Sequence, residues 1–192
     1  MREILCTERL RLRRFDMSDV DNLLTLYTDP SVMRYIDDGT WDAHRIETET
    51  LPEFLTEYDR YRRYGYWAAE THAGAFVGRI GLHPVILPDS ADEMWTEAPS
   101  DDADTVEIGY RLTRGQWGHG YATEAARAVV DLAFDSYDSR LAVATTMAVN
   151  NASRRVLERL GFRHTRTIHL HWDNPLPGTE QGEAIYELRS PK

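Results

Sequence analysis

The chain has 192 residues, a net charge of −10 and ordinary apolar content, with ten tyrosines and five tryptophans. That length suits one domain over residues 1–192 with a real core. The acidic balance argues against nucleic acid as a main ligand, since phosphate binding needs clustered lysine and arginine, and it suits a cationic partner such as an amine. No apolar run approaches the ~18 residues of a membrane helix, so no membrane partner is expected. The opening MREILCTERLRLRRF has no continuous apolar stretch and does not read as a secretion signal. As the sole cysteine, Cys6 cannot form a disulfide within the chain, which fits a cytoplasmic setting.

Arg9 to Phe15 alternates and reads as a strand with Leu10 and Leu12 inward. Asp16, Ser18 or Asp19 can cap a helix carrying Val20, Leu23, Leu24 and Tyr27 on one face. Asp29-Pro30 ends it, and Pro30 suits the first turn of a short helix through Met33 and Tyr35. Trp41 to Arg63 reads mainly as a helix, broken or kinked near Pro52, with Leu51, Phe54, Leu55 and Tyr58 as its apolar positions. Gly65 to Thr71 and Ala75 to Leu82 read as a hairpin turning at His72-Ala73-Gly74. Val85 to Asp104 is acidic and rich in breakers, and reads as a mobile surface loop. Met94 and Trp95 inside it either lid a cleft or pack on the surface, the surface being favoured.

Thr105 to Phe134 is the most informative stretch. Val106, Ile108, Tyr110 and Leu112 alternate with Glu107, Gly109 and Arg111, as in a half-buried strand. A glycine-rich turn follows through Gly120. From Tyr121, apolar residues recur at helical spacing: Ala122, Ala125, Ala126, Val129, Val130 and Ala133. Strand, glycine turn and helix together make an anion site, because the first N–H groups of a helix lack internal partners and carry partial positive charge. The amides of roughly His119 to Thr123 can wrap a pyrophosphate, with Gly118 and Gly120 permitting close approach. The pattern is neither a P-loop nor a full dinucleotide fingerprint. Further on, Leu141 to Met147 is β-rich, and Asn150 precedes a helix with Val156, Leu157 and Leu160 apolar and Gly161 as its stop. Asn150 and Ser153 either face a ligand or simply cap that helix. His169 and His171 share a strand face, but no third ligand is evident and no metal is expected.

EIGYRL followed by WGHGYATEA resembles motif A of the GCN5-related N-acetyltransferases (GNAT). VNNASRRVLERLGF is similar to a second motif of that superfamily. TERLRLRRF, DVDNLLTLYTDPSVMRYI and AFVGRIGLH point to its RimJ/RimL-like ribosomal-protein branch. The resemblance covers nearly the whole chain. It implies an α/β (α+β) fold with a mixed, mostly antiparallel twisted sheet flanked by helices. It implies acetyl-coenzyme A as co-substrate, no metal, and an amine acceptor that is either a protein N-terminus or a small molecule, in a monomer or homodimer. By the same resemblance the backbone of Arg111, Leu112 and Thr113 pairs with the pantetheine arm. Trp117, Gly118, His119, Gly120, Tyr121, Ala122 and Thr123 form the pyrophosphate loop, Trp117 standing where the superfamily has Gln or Arg. Asn150 and Ser153 hold the cofactor arm, and Ser153 stabilises the leaving thiolate, since Leu157 occupies the position of the usual tyrosine acid. Glu107 is the general base, or else half of a structural ion pair with Arg111. A sensor that binds acetyl-coenzyme A without turnover is the alternative.

Overall fold

The computed structural model describes residues 3–37 and 39–192. In chain order the elements are β1 (Glu3–Cys6), β2 (Leu10–Arg14), α1 (Val20–Tyr27), α2 (Pro30–Met33), α3 (Ala43–Arg45), α4 (Leu51–Arg60), β3 (Gly65–Thr71), β4 (Phe76–Ile86), β5 (Thr96–Glu97), β6 (Thr105–Leu112), α5 (Tyr121–Ser136), β7 (Leu141–Met147), α6 (Asn151–Leu160), β8 (Arg163–Ile168) and β9 (Glu183–Arg189). The strands form one nine-stranded sheet in the order β1-β2-β3-β4-β6-β7-β9-β8, with β5 added on β4. Every pairing is antiparallel except β6 with β7. This is the mixed, helix-flanked sheet that the resemblance implied.

The two sheet faces separate by alternation. Ile80 and Leu82 of β4 and Val106, Ile108 and Leu112 of β6 join the core under α5 with Ala125, Ala126, Val129 and Val130. Tyr66 and Ala68 of β3 face the other way, into a second core with Phe15, Leu23, Leu26, Tyr27, Phe54 and Tyr58 from α1 and α4. By the same period of two, Arg79, Gly81 and His83 share that second face with Glu107, Gly109 and Arg111, which lie directly opposite them across the β4–β6 pairing. Gly81 is needed there: a Cβ would stand 2.8 Å from the Tyr66 ring and 3.0 Å from His83 Nε2.

Local sequence sets the helix ends as expected. Asp29 accepts from Ser31 N–H at 2.8 Å and Pro30 opens α2. Asp16 and Asp19 close a capping box ahead of α1. The break near Pro52 takes a specific form: residues Ile46–Thr50 make a π-helical turn, with Leu51 N–H bonded to Ile46 O. Pro52 has no N–H to give and its ring crowds the carbonyl four residues back, so the wider turn relieves both problems.

A buried ion network ties α1 to the sheet. Arg13 donates from Nη1 and Nη2 to the two Asp19 oxygens at 2.7 and 2.6 Å, and from Nε to Glu70 at 2.8 Å. Arg11 also reaches Glu70, at 2.8 Å.

One feature of the sheet positions everything else. β6 and β7 pair only from Thr105 to Glu107 against Leu141 to Val143. Beyond that, β7 continues on β9 to Met147 while β6 continues on β4 to Leu112. The sheet therefore forks at Ile108.

Candidate active site

The fork leaves backbone groups without a strand partner. Thr113 N–H bonds Val77 O at 3.0 Å, so alternation turns the amides of 107, 109, 111 and 113 toward β4 and those of Ile108, Tyr110 and Leu112 toward the gap. Of the expected pairing segment Arg111, Leu112 and Thr113, Leu112 is the residue that turns its backbone to the fork. Its carbonyl already accepts from the Trp117 indole N–H at 2.9 Å. Trp117, exposed and stacked beneath the Arg114 guanidinium, thus pins the glycine turn to the end of β6.

At the mouth of α5 the turn has the expected form. Gly118 and Gly120 both have φ +81°, a conformation favouring glycine, and no side chain caps the helix. Nothing stands within 4 Å of a Cβ built on Gly118, so the cradle is open. Glu124 N–H closes on Gly120 O at 3.0 Å, leaving the amides of Tyr121, Ala122 and Thr123 free of intrahelical bonds. These features fit a diphosphate. Sequence reasoning missed Arg9, which braces the cradle. Its Nη1 donates to His119 O at 2.9 Å, its Nε to Glu124 at 2.6 Å, and its guanidinium lies over the Tyr121 ring. Arg9 offsets the one acidic side chain in the first turn of α5, Glu124, which would otherwise repel an anion. Only the fold brings Arg9 to a helix more than a hundred residues away.

Asn150 caps α6, its Oδ1 accepting from Ser153 N–H at 3.2 Å. The capping reading therefore holds for the carbonyl end, and the amide end remains for a ligand. Ser153 Oγ lies 3.0 Å from the Tyr110 hydroxyl. Tyr110, on β6, was not singled out as a site residue. Burial raises its pKa, so the phenol stays protonated and can donate. Leu157, which stands at the usual tyrosine position, is buried in the core at 1% exposure.

Glu107 makes no ion pair with Arg111. It faces a cleft of about 300 Å³ lined by Glu57, Tyr66, His83, Met94, Trp95 and Glu97 among others. Burial pushes its pKa up, against a hydrogen bond from Trp95 and the charge of Arg79. Trp95 is 7% exposed, packed with Val85, Leu141, Val143 and Ile185. This overturns the surface placement favoured for it: β5 pairs on Val85 and Ile86 and carries Trp95 in over the cleft. The 85–104 segment is stitched down elsewhere as well, with Tyr61 Oη donating to Ala98 O at 2.5 Å and Arg166 Nε to Ala91 O at 3.0 Å.

Glu57 and His83 are further site residues missed in the sequence. Ligand-capable atoms of Glu57, His83 and Glu97 lie within 4.8 Å of one another, although Glu97 is held by Arg60 at 2.9 Å. Burial, with Glu53 and Glu97 nearby, pushes Glu57 up to about 7. Burial, with Arg79 nearby, pushes His83 down to about 4, so its ring is neutral at pH 7. Glu57 Oε2 and His83 Nε2 are buried without a hydrogen-bond partner among the described residues. The signal for His83 was its alternation with Leu82; its neighbour Glu57 comes from α4, and only the fold joins them.

A forked mixed sheet, an amide-lined helix mouth beside one prong and a carboxylate on that prong are the parts of an acetyltransferase. The chain belongs to the GNAT acetyltransferases: the family model described as "Acetyltransferase (GNAT) domain" matches residues 9–163. It is similar to the Bacillus subtilis protein YkkB, itself named as uncharacterized, at 31% identity over 97% of this chain and 95% of that one. It is also similar to the FsC-acetyl coenzyme A-N(2)-transacetylase of Aspergillus fumigatus, at 29% identity over 96% of this chain and 75% of the other. Among solved structures, a RimL ribosomal L7/L12 alpha-N-protein acetyltransferase in complex with coenzyme A superposes with a TM-score of 0.76, at 17% identity over 98% of both chains. The protein is an N-acetyltransferase.

Proposed function

We propose that the chain transfers an acetyl group from acetyl-coenzyme A to a primary amine, by direct attack of the neutral amine with Glu107 as general base. The observation that carries this reading is the position of Glu107, at the fork of β6 and β7, half-buried and lining a cleft beside unpaired strand edge. Acetyl-coenzyme A, when bound, supplies the acyl group as an activated thioester. The amides of Tyr121 to Thr123 and the Gly118–Gly120 turn hold its diphosphate, and the free edge of β6 with the Asn150 amide aligns its arm.

An alkyl ammonium has a pKa about 10 and must lose a proton before it attacks. Glu107 takes that proton, directly or through water, and its raised pKa makes it a better base than an exposed carboxylate. Trp95, buried in the wall of the same cleft, screens the carboxylate from solvent. The Ser153 hydroxyl lies on the other side of β6, beside the Tyr110 phenol that donates to the Ser153 carbonyl at 3.0 Å, and stabilises the departing thiolate by donation. The acceptor is a small-molecule amine or a protein N-terminus. The RimL neighbour is named as an alpha-N-protein acetyltransferase, and the Aspergillus relative for FsC and an N(2) position.

Glu107→Gln tests the base. The acid limb of kcat/KM lies above the ordinary carboxylate range in the wild type, because the folded site favours the protonated carboxyl. The variant should lose that limb and fall about 100- to 10,000-fold. A rate unchanged across pH 6 to 9, read as thiol release from acetyl-coenzyme A, removes Glu107 from the mechanism.

A further inference from the structure

The acceptor face of the fork holds two arginines with no acid within salt-bridge distance. Arg79 and Arg111 are register partners on β4 and β6, so their side chains rise side by side from the same face. Among the described residues, neither forms a salt bridge, whereas Arg9, Arg11, Arg13, Arg45, Arg60 and Arg166 all do. Arg79 Nε is buried with no hydrogen-bond partner. Arg111 donates one hydrogen bond, 3.5 Å to the weak acceptor Met33 Sδ. What surrounds the pair is aromatic. Arg79 lies 4.3 Å over the Tyr66 ring and 5.8 Å from Phe54, and Arg111 lies 4.7 Å over Tyr27.

Two neighbouring guanidiniums repel each other, and beyond a hydrogen bond with Tyr66 for Arg79 and one to Met33 Sδ for Arg111, ring faces leave their remaining in-plane N–H groups unsatisfied. Burial and the charge of Arg79 accordingly weigh against the Arg111 cation, although a guanidinium stays protonated at neutral pH. Such a pair is complete only with an oxyanion between or above the two forks. The strand floor between this pair and Glu107 is Gly81 and Gly109: the Tyr66 ring packs over Gly81, and nothing lies within 4 Å of a Cβ built on Gly109, so the open ground is on the β6 side. The other end of the floor is acidic, with Glu57, Glu97 and Glu107 lining the cleft. Glu107 and Arg111 stand about 13 Å apart at strand rise, the span of a small amino acid or a short peptide with its side chains reaching inward.

We infer that the acceptor is an amine that also carries a carboxylate, its ammonium end received by Glu107 and its carboxylate by Arg79 and Arg111. This rests on the acetyltransferase reading and names its substrate class. A singly charged carboxylate suits this place better than a phosphate dianion, because Glu57, Glu97 and Glu107 line the neighbouring cleft and oppose a second negative charge. The Tyr27, Tyr66 and Phe54 rings hold the two guanidiniums planar and upright, ready for a bidentate partner.

The test uses matched acceptors that differ only in that group. Thiol release from acetyl-coenzyme A is measured with β-alanine and γ-aminobutyrate against their amides, and with short peptides having Asp against Asn at the second residue. The two arms separate a free amino acid from an acidic N-terminus. In one of these arms the acid form should exceed its amide about 10- to 100-fold in kcat/KM, mostly through KM. Arg79→Gln should collapse that ratio toward one, and Arg79→Lys should keep part of it. Equal rates for acid and amide in the wild type overturn the inference, as does an undiminished ratio in folded Arg79→Gln. If the protein binds acetyl-coenzyme A yet no acceptor turns over, calorimetry on the coenzyme A-loaded protein decides, with equal affinity for acid and amide again overturning it. Failure to bind coenzyme A at all would instead remove the proposed function.

Discussion

Two groups of arginines rise from the same face of the same sheet, and they have opposite surroundings. Arg11 and Arg13 on β2 meet Asp19 and Glu70 in a closed network, and Asp19 is 1% exposed. Arg79 and Arg111, on β4 and β6, meet aromatic rings and the open backbone of Gly109. In the first group the chain supplies its own counter-charges and the result is architecture: β2, β3 and the start of α1 are locked together. In the second the chain withholds them, and also leaves Glu57 Oε2 and His83 Nε2 unpartnered nearby. Unsatisfied charge is costly to keep, so a cluster of it at the mouth of a cleft marks where another molecule completes the set.

The largest effect expected from breaking this contrast is at Asp19. Asp19→Ala strips the two-pronged partner from a buried guanidinium and should cost about 3–5 kcal/mol, read as a lower urea midpoint with an unchanged slope. A loss under about 1 kcal/mol would mean that the two clusters are not energetically distinct.

A smaller change of the opposite sign is expected at Glu57. Its folded pKa of about 7 lies above the ordinary glutamate value of about 4.5, so the folded protein binds the extra proton between those values. Stability therefore falls as pH rises from about 4.5 to about 7, and the penalty is complete above that range. Glu57→Gln should stabilise the protein by about 1–3 kcal/mol at pH 8 and leave it nearly unchanged at pH 4.5, measured as Tm at the two pH values.

The smallest effect is at Arg79. Arg79→Met keeps much of the packing against Tyr66 and Phe54 while removing a charge that has no acid partner. Its stability should stay within about 1 kcal/mol of the wild type, in contrast with Asp19→Ala. A loss of several kcal/mol would show that Arg79 is structural after all.

Much of this was legible in the sequence because it is local. The alternation of β6, the Asp29-Pro30 start of α2, the glycine turn into α5 and the Gly161 stop of α6 each need only neighbouring residues. The π-turn before Pro52 was half legible, since proline announces a break but not how the backbone absorbs it. What escaped depends on register and long-range contact. Arg79 and Arg111 become neighbours only once β4 is set against β6. Arg9 braces α5, Glu57 meets His83, and Tyr110 meets Ser153 across distances that no spacing rule reaches. The 85–104 segment misled for a related reason: its acidic, proline-bearing text reads as loop, yet two residues, Thr96 and Glu97, add a strand to β4 and turn Trp95 inward.

The fork at Ile108 has a consequence for the protein's lifetime. A sheet with a missing strand is less cohesive than a filled one, and a ligand lying in the gap joins its two halves. Occupancy at a hundredfold excess over Kd adds about 2.7 kcal/mol against unfolding. With the acyl donor seated in that gap as proposed, its supply would set not only how fast this enzyme works but how firmly each copy stays folded, read as a Tm that rises with donor concentration.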